Sequence, residues 1–311
     1  MQQDALERLG LQRLLLEPEL LEAAVPDVNL VATLLTLAKV IPKKTRETAR
    51  AVVRKVVEDI ERRLRGQLVQ GVRAATRRAA RTSRPRQKEV DWDRTIRANL
   101  ARSVPVVDAR GRRPIPVPTR LVGWRSRAAA LHDVILVVDQ SGSMASSVVY
   151  AGILGSVMAS VRAVRVSFLA FDTSVVDLTE HLRDPVDLLF GTQLGGGTDI
   201  RQALAHARTL VRRPEKTVMV LISDLVEGGD PLPMLAEAKA IADGGVRMVA
   251  LLALSDGGRP AYDQGNAEAL ASLGVPSFAV TPDLFPELMS AALEGRSLAA
   301  WAAARSLPLH A

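Results

Sequence analysis

Alternating strand and helix patterns over residues 131–295 predict an α/β fold: a doubly wound, mainly parallel sheet with helices on both faces. A segment of opposite character predicts a smaller, basic α-helical domain before it, over residues 1–88. Five short apolar runs separated by helical periodicities carry the first reading, and a sharp change of charge carries the second.

The N-terminal elements follow from spacing. Val28, Val31, Leu34, Leu35, Ala38 and Ile41 recur on one helical face, with Asp27 as the N-cap and Pro42 as the stop. Val52, Val53, Val56, Val57, Ile60 and Leu64 mark a second helix whose other face carries Lys and Arg. Shorter helical pieces precede Pro18 and Pro26. Residues 89–130 read as an extended linker, because Arg110-Gly111-Arg112-Arg113-Pro114-Ile115-Pro116-Val117-Pro118 holds a proline at every second position near its end. Nothing repeats at the 20–50-residue period of a solenoid.

In the C-terminal part, Val134 to Val138 is a buried central strand, followed by strands at 165–171, 216–223, 246–254 and 276–280 and a short edge strand at 174–178. Val148, Val149, Ala151, Ile153, Leu154, Val157, Met158 and Val161 leave that helix almost no polar face, so it is buried, and Gly152 and Gly155 permit close packing. The helix ending near Asp243 stops at Gly244-Gly245. Residues 296–311 read as a tail.

Three segments put oxygen chemistry at strand ends. Asp139-Gln140-Ser141-Gly142-Ser143 follows the central strand with one carboxylate and two hydroxyls at alternate positions. Gly195-Gly196-Gly197-Thr198-Asp199 opens a helix whose inner face is Ile200, Ala203, Leu204, Ala207, Leu210 and Val211, and Val218 to Ile222 leads into Ser223-Asp224. In open α/β sheets ligands bind at the carboxyl ends of strands. Carboxylate and hydroxyl without His or Cys suits a hard cation, magnesium or manganese, rather than zinc. Each piece also has a plainer reading. Ser and Gly are ordinary turn residues, Asp199 is an N-cap, Asp172 ends a strand, and Ser255-Asp256 is loop.

Asp-x-Ser-x-Ser, a Gly-rich loop with Thr, and a later strand-end Asp together resemble the metal-ion-dependent adhesion site of von Willebrand factor A (vWA) domains, a Rossmann-like fold. The resemblance covers about Leu131 to Leu293 and implies that Ser141, Ser143 and Thr198 touch the metal, while Asp139 and Asp224 hold it largely through water. The Gly-Gly-Gly-Thr-Asp form and the upstream Asp91-Trp92-Asp93-Arg94-Thr95-Ile96-Arg97 are similar to the CoxE-like branch, whose members are associated with MoxR-type AAA+ ATPases. The expected function is therefore non-enzymatic: a protein–protein interaction module that docks an acidic side chain of a partner through Mg2+ or Mn2+. The expected partner is a MoxR-type ATPase or its client.

Charge and composition bound the alternatives. Residues 43–88 hold 16 Lys and Arg against 4 Asp and Glu, a balance of +12 in a chain whose total is +7. Such a segment suits an acidic partner, an anionic surface or nucleic acid, but no aromatic residue interleaves it to stack on bases. A nucleic-acid-associated factor with a purely structural metal site is the alternative reading. Four scattered histidines (His132, His181, His206 and His310) and the absence of a Gly-x-x-x-x-Gly-Lys-Ser/Thr loop argue against hydrolysis by this chain. There is no cysteine, hence no disulfide or thiolate chemistry. No span of transmembrane length and no signal-peptide pattern stands out, so a cytoplasmic location is expected.

Overall fold

The computed structural model describes residues 17–38, 40–76, 80–82, 87, 90–100, 103–108, 111–116, 119–125, 131–192, 196–254, 262–305 and 307. They fall into two compact units: those of 1–73 with 131–311, and those of 74–130. The helical pieces expected before Pro18, together with Ser255-Asp256 and His310, lie outside the described residues.

In chain order the first helices are α1 (Pro18–Ala23), α2 (Val28–Thr36) and α3 (Lys43–Thr76). Asp27 caps α2 by accepting from the Leu30 amide at 2.7 Å. The 34-residue α3 buries a stripe of Val52, Val53, Val56, Val57, Ile60, Leu64, Leu68 and Val72. That stripe covers the sheet domain, which corrects the expectation of a separate basic domain over 1–88. The charge change is real, but it runs along the outer face of a helix whose inner face is core. Arg50 pairs with Asp187 and lies 5.1 Å from the Phe190 ring centroid, and Arg63 Nε lies 3.5 Å from Asp283 Oδ1.

The second unit replaces the expected extended linker. It contains β1 (Ala80–Thr82), α4 (Trp92–Asn99), β2 (Ser103–Asp108), β3 (Gly111–Pro116) and β4 (Gly123–Arg125). β1 pairs antiparallel with β4, and β2 with β3, where Pro105 faces Pro114. Two-stranded ribbons have free edges, and a proline lacking its N–H is tolerated there. The segment Asp91–Arg97 is the start of α4, capped by Asp91, which accepts from the Arg94 amide at 3.1 Å. Buried Thr95 exchanges hydrogen bonds with the Val122 backbone at 3.0 and 3.1 Å, and buried Asn99 bonds the Arg120 backbone and Thr119.

The remaining elements are β5 (His132–Asp139), α5 (Ala145–Ala159), β6 (Val164–Phe171), β7 (Val175–Asp177), α6 (Pro185–Gly191), α7 (Ile200–Thr209), β8 (Thr217–Ile222), α8 (Pro231–Asp243), β9 (Arg247–Leu254), α9 (Gln264–Ser272), β10 (Ser277–Val280), α10 (Phe285–Glu294) and α11 (Leu298–Ala303). They form a six-stranded sheet in the order β10-β9-β8-β5-β6-β7. All pairs are parallel except the edge pair β6–β7. This is the doubly wound sheet that the alternating pattern predicts. The chain leaves β5 toward β6 on one side and returns to β8 on the other, so the strand order reverses between β5 and β8. On one face Ile135, Val137, Met219, Leu221 and Ala250 pack with α7, α8 and α9 residues such as Ile200, Met234 and Ala267. Helix α5 covers the other face. A Cβ on Gly152 would stand 2.7 Å from Leu188 Cδ2, and one on Gly155 3.0 Å from Leu136 Cδ1, so α5 packs closely at both glycines and a methyl there would displace the ends of leucine side chains.

Gly142–Ala159 is 18 residues long with a mean hydropathy of 1.4, and 72% of that stretch is buried inside the fold as a core helix. The expected tail is also partly structured: α11 buries Trp301, whose ring lies 5.8 Å from Phe278.

Candidate metal centre

Reversal of strand order between β5 and β8 opens the crevice where α/β sheets hold ligands, and the candidate residues stand at its lip. Asp139 ends β5, fully buried. Its Oδ1 accepts from the Ser141 amide at 2.8 Å, the tight turn expected of an Asp followed by polar residues. The turn continues as a short 3-10 helix, Gly142–Met144, that presents Ser143 at the surface beside half-buried Ser141. From β8, Asp224 turns toward the same place. Ser143 Oγ donates to Asp224 Oδ2 at 2.7 Å, and the Ser141 and Ser143 hydroxyls lie 3.2 Å apart.

Four of the five expected positions therefore meet through hydrogen bonds: Asp139, Ser141, Ser143 and Asp224. Thr198 joins differently. It is half-buried just before α7, and its carbonyl accepts from the Gly228 amide at 2.9 Å, which ties its loop to the one after Asp224. Among the described residues its hydroxyl bonds none of the other four. Gly195 lies outside the described residues. Asp199 is the N-cap of α7, accepting from Gln202 N at 2.8 Å, and Asp172 braces this loop by accepting the Asp199 amide on its carbonyl at 2.8 Å.

Three further residues shape the site, and sequence reasoning missed them. Ser223 Oγ donates to Asp139 Oδ2 at 2.8 Å and accepts from Leu225 N at 3.0 Å. Glu227 Oε2 accepts from Ile200 N at 2.8 Å, supplying the start of α7 with a second carboxylate. Gly228 approaches Thr198 so closely that a Cβ would stand 2.6 Å from the Thr198 carbonyl oxygen. The available signals were thin: Ser223 adjoins the strand-end Asp, and Gly228-Gly229 marks a close approach or a turn.

Electrostatics give the site its character. Asp139 is held above the ordinary carboxylate range, first by burial and also by the neighbouring charge of Asp224, against the opposing hydrogen bonds from Ser141 and Ser223. Burial likewise raises Glu227, against its bonds from the Ile200 and Arg201 amides. Among the described residues neither Asp139 nor Asp224 pairs with a Lys, Arg or His, and no group of three or more His, Cys, Asp or Glu converges anywhere. Two buried carboxylates facing one another without a cation are electrostatically incomplete. The hydroxyl and carboxylate oxygens stand 2.7 and 3.2 Å apart. Adjacent ligand oxygens of an octahedral magnesium with bonds of about 2.1 Å lie about 3 Å apart. The donor set and its spacing fit a small hard divalent cation.

Comparison with known proteins agrees with this architecture. The model of the family "VWA domain containing CoxE-like protein" matches residues 60–289. The chain is 33% identical over 282 residues to the uncharacterised protein YehP of Escherichia coli strain K12, covering 91% of this chain and 74% of that one. Solved structures include BatB, a conserved hypothetical protein of Bacteroides thetaiotaomicron: 18% identity, 53% of this chain, 98% of that one and a TM-score of 0.42. A von Willebrand factor type A protein of Catenulispora acidiphila shares 12% identity over 56% of this chain and 43% of that one, at a TM-score of 0.38. Both TM-scores are too low to carry an argument. The chain is a member of the CoxE-like family of vWA-domain proteins.

Proposed function

We propose that the domain binds Mg2+ or Mn2+ through Ser141, Ser143 and Thr198, with Asp139 and Asp224 acting largely through water, and that the cation docks an acidic side chain of a partner protein. The observation that carries this reading is the pair of buried carboxylates, Asp139 and Asp224, with hydroxyls turned to the same point and no described basic side chain to balance them. With the carboxylates behind water, the cation keeps part of its charge and an open position, which a carboxylate from outside fills. Ser223, holding Asp139, acts as an orienting partner behind the ligands. The domain works as a binding module rather than an enzyme. Among the described residues no hydrogen bond joins Ser143 to an imidazole, and His132 sits at the far end of β5 from Asp139, about 23 Å at strand rise. The resemblance to CoxE-like proteins supports, as partner, a MoxR-type AAA+ ATPase or its client in protein remodelling or cofactor insertion.

A second reading rests on α3, which exposes Lys43, Lys44, Arg46, Arg54 and Lys55 on its outer face and suits nucleic acid. Purification of the tagged full chain from its native cell, with magnesium or with EDTA, separates the two. An ATPase that co-elutes only with magnesium supports the docking reading. Nucleic acid that is insensitive to EDTA and lost in salt supports the second and sinks the first.

A further inference from the structure

Asp224 is followed by a backbone conformation that a leucine does not favour. Leu225 has φ 61°, and among the described residues it is the single residue other than glycine with a positive φ. A leucine in the left-handed region is disfavoured by its Cβ and persists only where its surroundings hold it. Leu225 is the middle residue of the turn in which the Val226 amide donates to Asp224 Oδ1 at 3.2 Å, so its φ decides whether that amide reaches the carboxylate. Its own amide donates to Ser223 Oγ at 3.0 Å, and Ser223 in turn donates to Asp139 Oδ2 at 2.8 Å. One strained residue is thus tied to both acids of the candidate centre.

Two anchors hold it. The Leu225 side chain is fully buried in the core cluster that includes Ile200, Met234 and Ala267. That burial fixes the side chain but does not orient the peptide that follows. The second anchor does: Asn266 Nδ2, from the first turn of α9, donates to the Leu225 carbonyl at 2.9 Å across 41 residues of chain. Asn266 is itself buried. The start of α9 is fastened alongside, since the Asp263 amide donates to the Asp224 carbonyl at 2.9 Å and Asp263 Oδ1 accepts from the Asn266 amide at 2.8 Å. An Asn supplies a neutral donor here, whereas an Asp would turn a negative oxygen toward the carbonyl.

We propose that Asn266 is a positioning residue of the metal centre: by holding the Leu225 peptide in its left-handed bend, it aims the Asp224 carboxylate toward Ser143 before a cation arrives. The inference rests on the cation-docking reading above and deepens it with a residue that touches no ion. Ligands set in place beforehand bind more tightly, because the cation does not have to order them. Without Asn266, Leu225 relaxes toward negative φ, the Asp224–Val226 turn opens, and the carboxylate loses its direction.

Two measurements on the full chain test this: magnesium affinity by titration calorimetry, and amide hydrogen exchange in EDTA. N266A should bind magnesium about tenfold more weakly, and N266D at least as weakly. In EDTA the Leu225 and Val226 amides of N266A should exchange about tenfold faster while the amides of β8 keep their wild-type rates. A general loss of stability would quicken both sets. L225G supplies the rescue, because glycine takes a positive φ unaided. Adding N266A to L225G should therefore cost less than about twofold in affinity, the missing leucine side chain being common to both variants. The exchange result does not depend on whether L225G folds. Wild-type affinity in N266A, a full tenfold loss in the L225G background, or β8 amides that quicken with Val226 overturn the positioning role and leave the docking reading standing. A wild-type chain that binds no magnesium overturns both.

Discussion

The Ser143 hydroxyl donates to Asp224 Oδ2 at 2.7 Å across 81 residues of chain. That bond joins the turn after β5 to the loop after β8, the two parallel strands between which the strand order reverses. Removing it takes away a link between the loops and, on the cation-docking proposal, one ligand oxygen. Ser143→Ala should weaken magnesium binding by on the order of 1–3 kcal/mol, the loss expected for a hydrogen bond to a charged group. Titration calorimetry measures it; an unchanged affinity removes Ser143 from the ligand set.

Gly228 tests the link to Thr198. In Gly228→Ala the new methyl meets the Thr198 carbonyl at 2.6 Å, and backbone cannot yield as a flexible side chain can. The Thr198 loop should move away, weakening the cation by about tenfold while the melting temperature changes little, because the contact lies outside the core. A variant with normal affinity would show that Thr198 needs no such positioning.

Glu227→Ala should instead act on stability. It removes an acceptor for the Ile200 amide at the start of α7, leaving Asp199 as the remaining cap. A lost cap is worth about 1 kcal/mol, or roughly 2–4 °C in Tm for a domain of this size. Thermal melts in EDTA check this free of any bound ion. A drop well above that range would mean Glu227 holds more than one helix end.

At the opposite end of β5, His132 is held below its ordinary value of 6.5, chiefly by burial and then by the charges of Lys216 and Arg213, with Asp133 opposing. A depressed folded-state value means the unfolded chain takes up the proton first. The stability this contributes is full above about pH 6.5 and is lost as pH falls through the folded value. Melting temperature should therefore decline more steeply below pH 6.5 in the wild type than in His132→Gln. Parallel slopes would mean His132 is not the group responsible.

Much of this was legible in the sequence, for a physical reason. Buried parallel strands are continuous apolar runs, and ligand crevices lie at their carboxyl ends, so Asp139, Ser141, Ser143 and Asp224 stood out by position, while their grouping as one ligand set came from the resemblance to vWA domains. Ser223, Glu227 and Gly228 were not legible, because their roles depend on which loop lies opposite, and only the folded chain supplies that. The segment 89–130 misled because prolines imply an extended linker, whereas Pro105 and Pro114 face one another in a two-stranded ribbon that has no central ladder to break. The basic N-terminal helix misled for the opposite reason: its charge was conspicuous, while the stripe from Val52 to Val72 that seats it on the fold was only partly recognised.

The central claim, that Asp139 and Asp224 face one another in order to hold a cation, has a direct test in Asp139→Asn. Asparagine keeps the size of the side chain and removes one of two charges that repel each other in the absence of metal. In EDTA the variant should melt within a few degrees of the wild type, since relief of the repulsion offsets the loss of one of the two acceptors that serve the Ser141 amide and the Ser223 hydroxyl. Adding magnesium should raise the melting temperature of the wild type in proportion to the logarithm of its concentration and leave Asp139→Asn unmoved. Magnesium and manganese that shift neither protein, or shift both equally, would contradict the account.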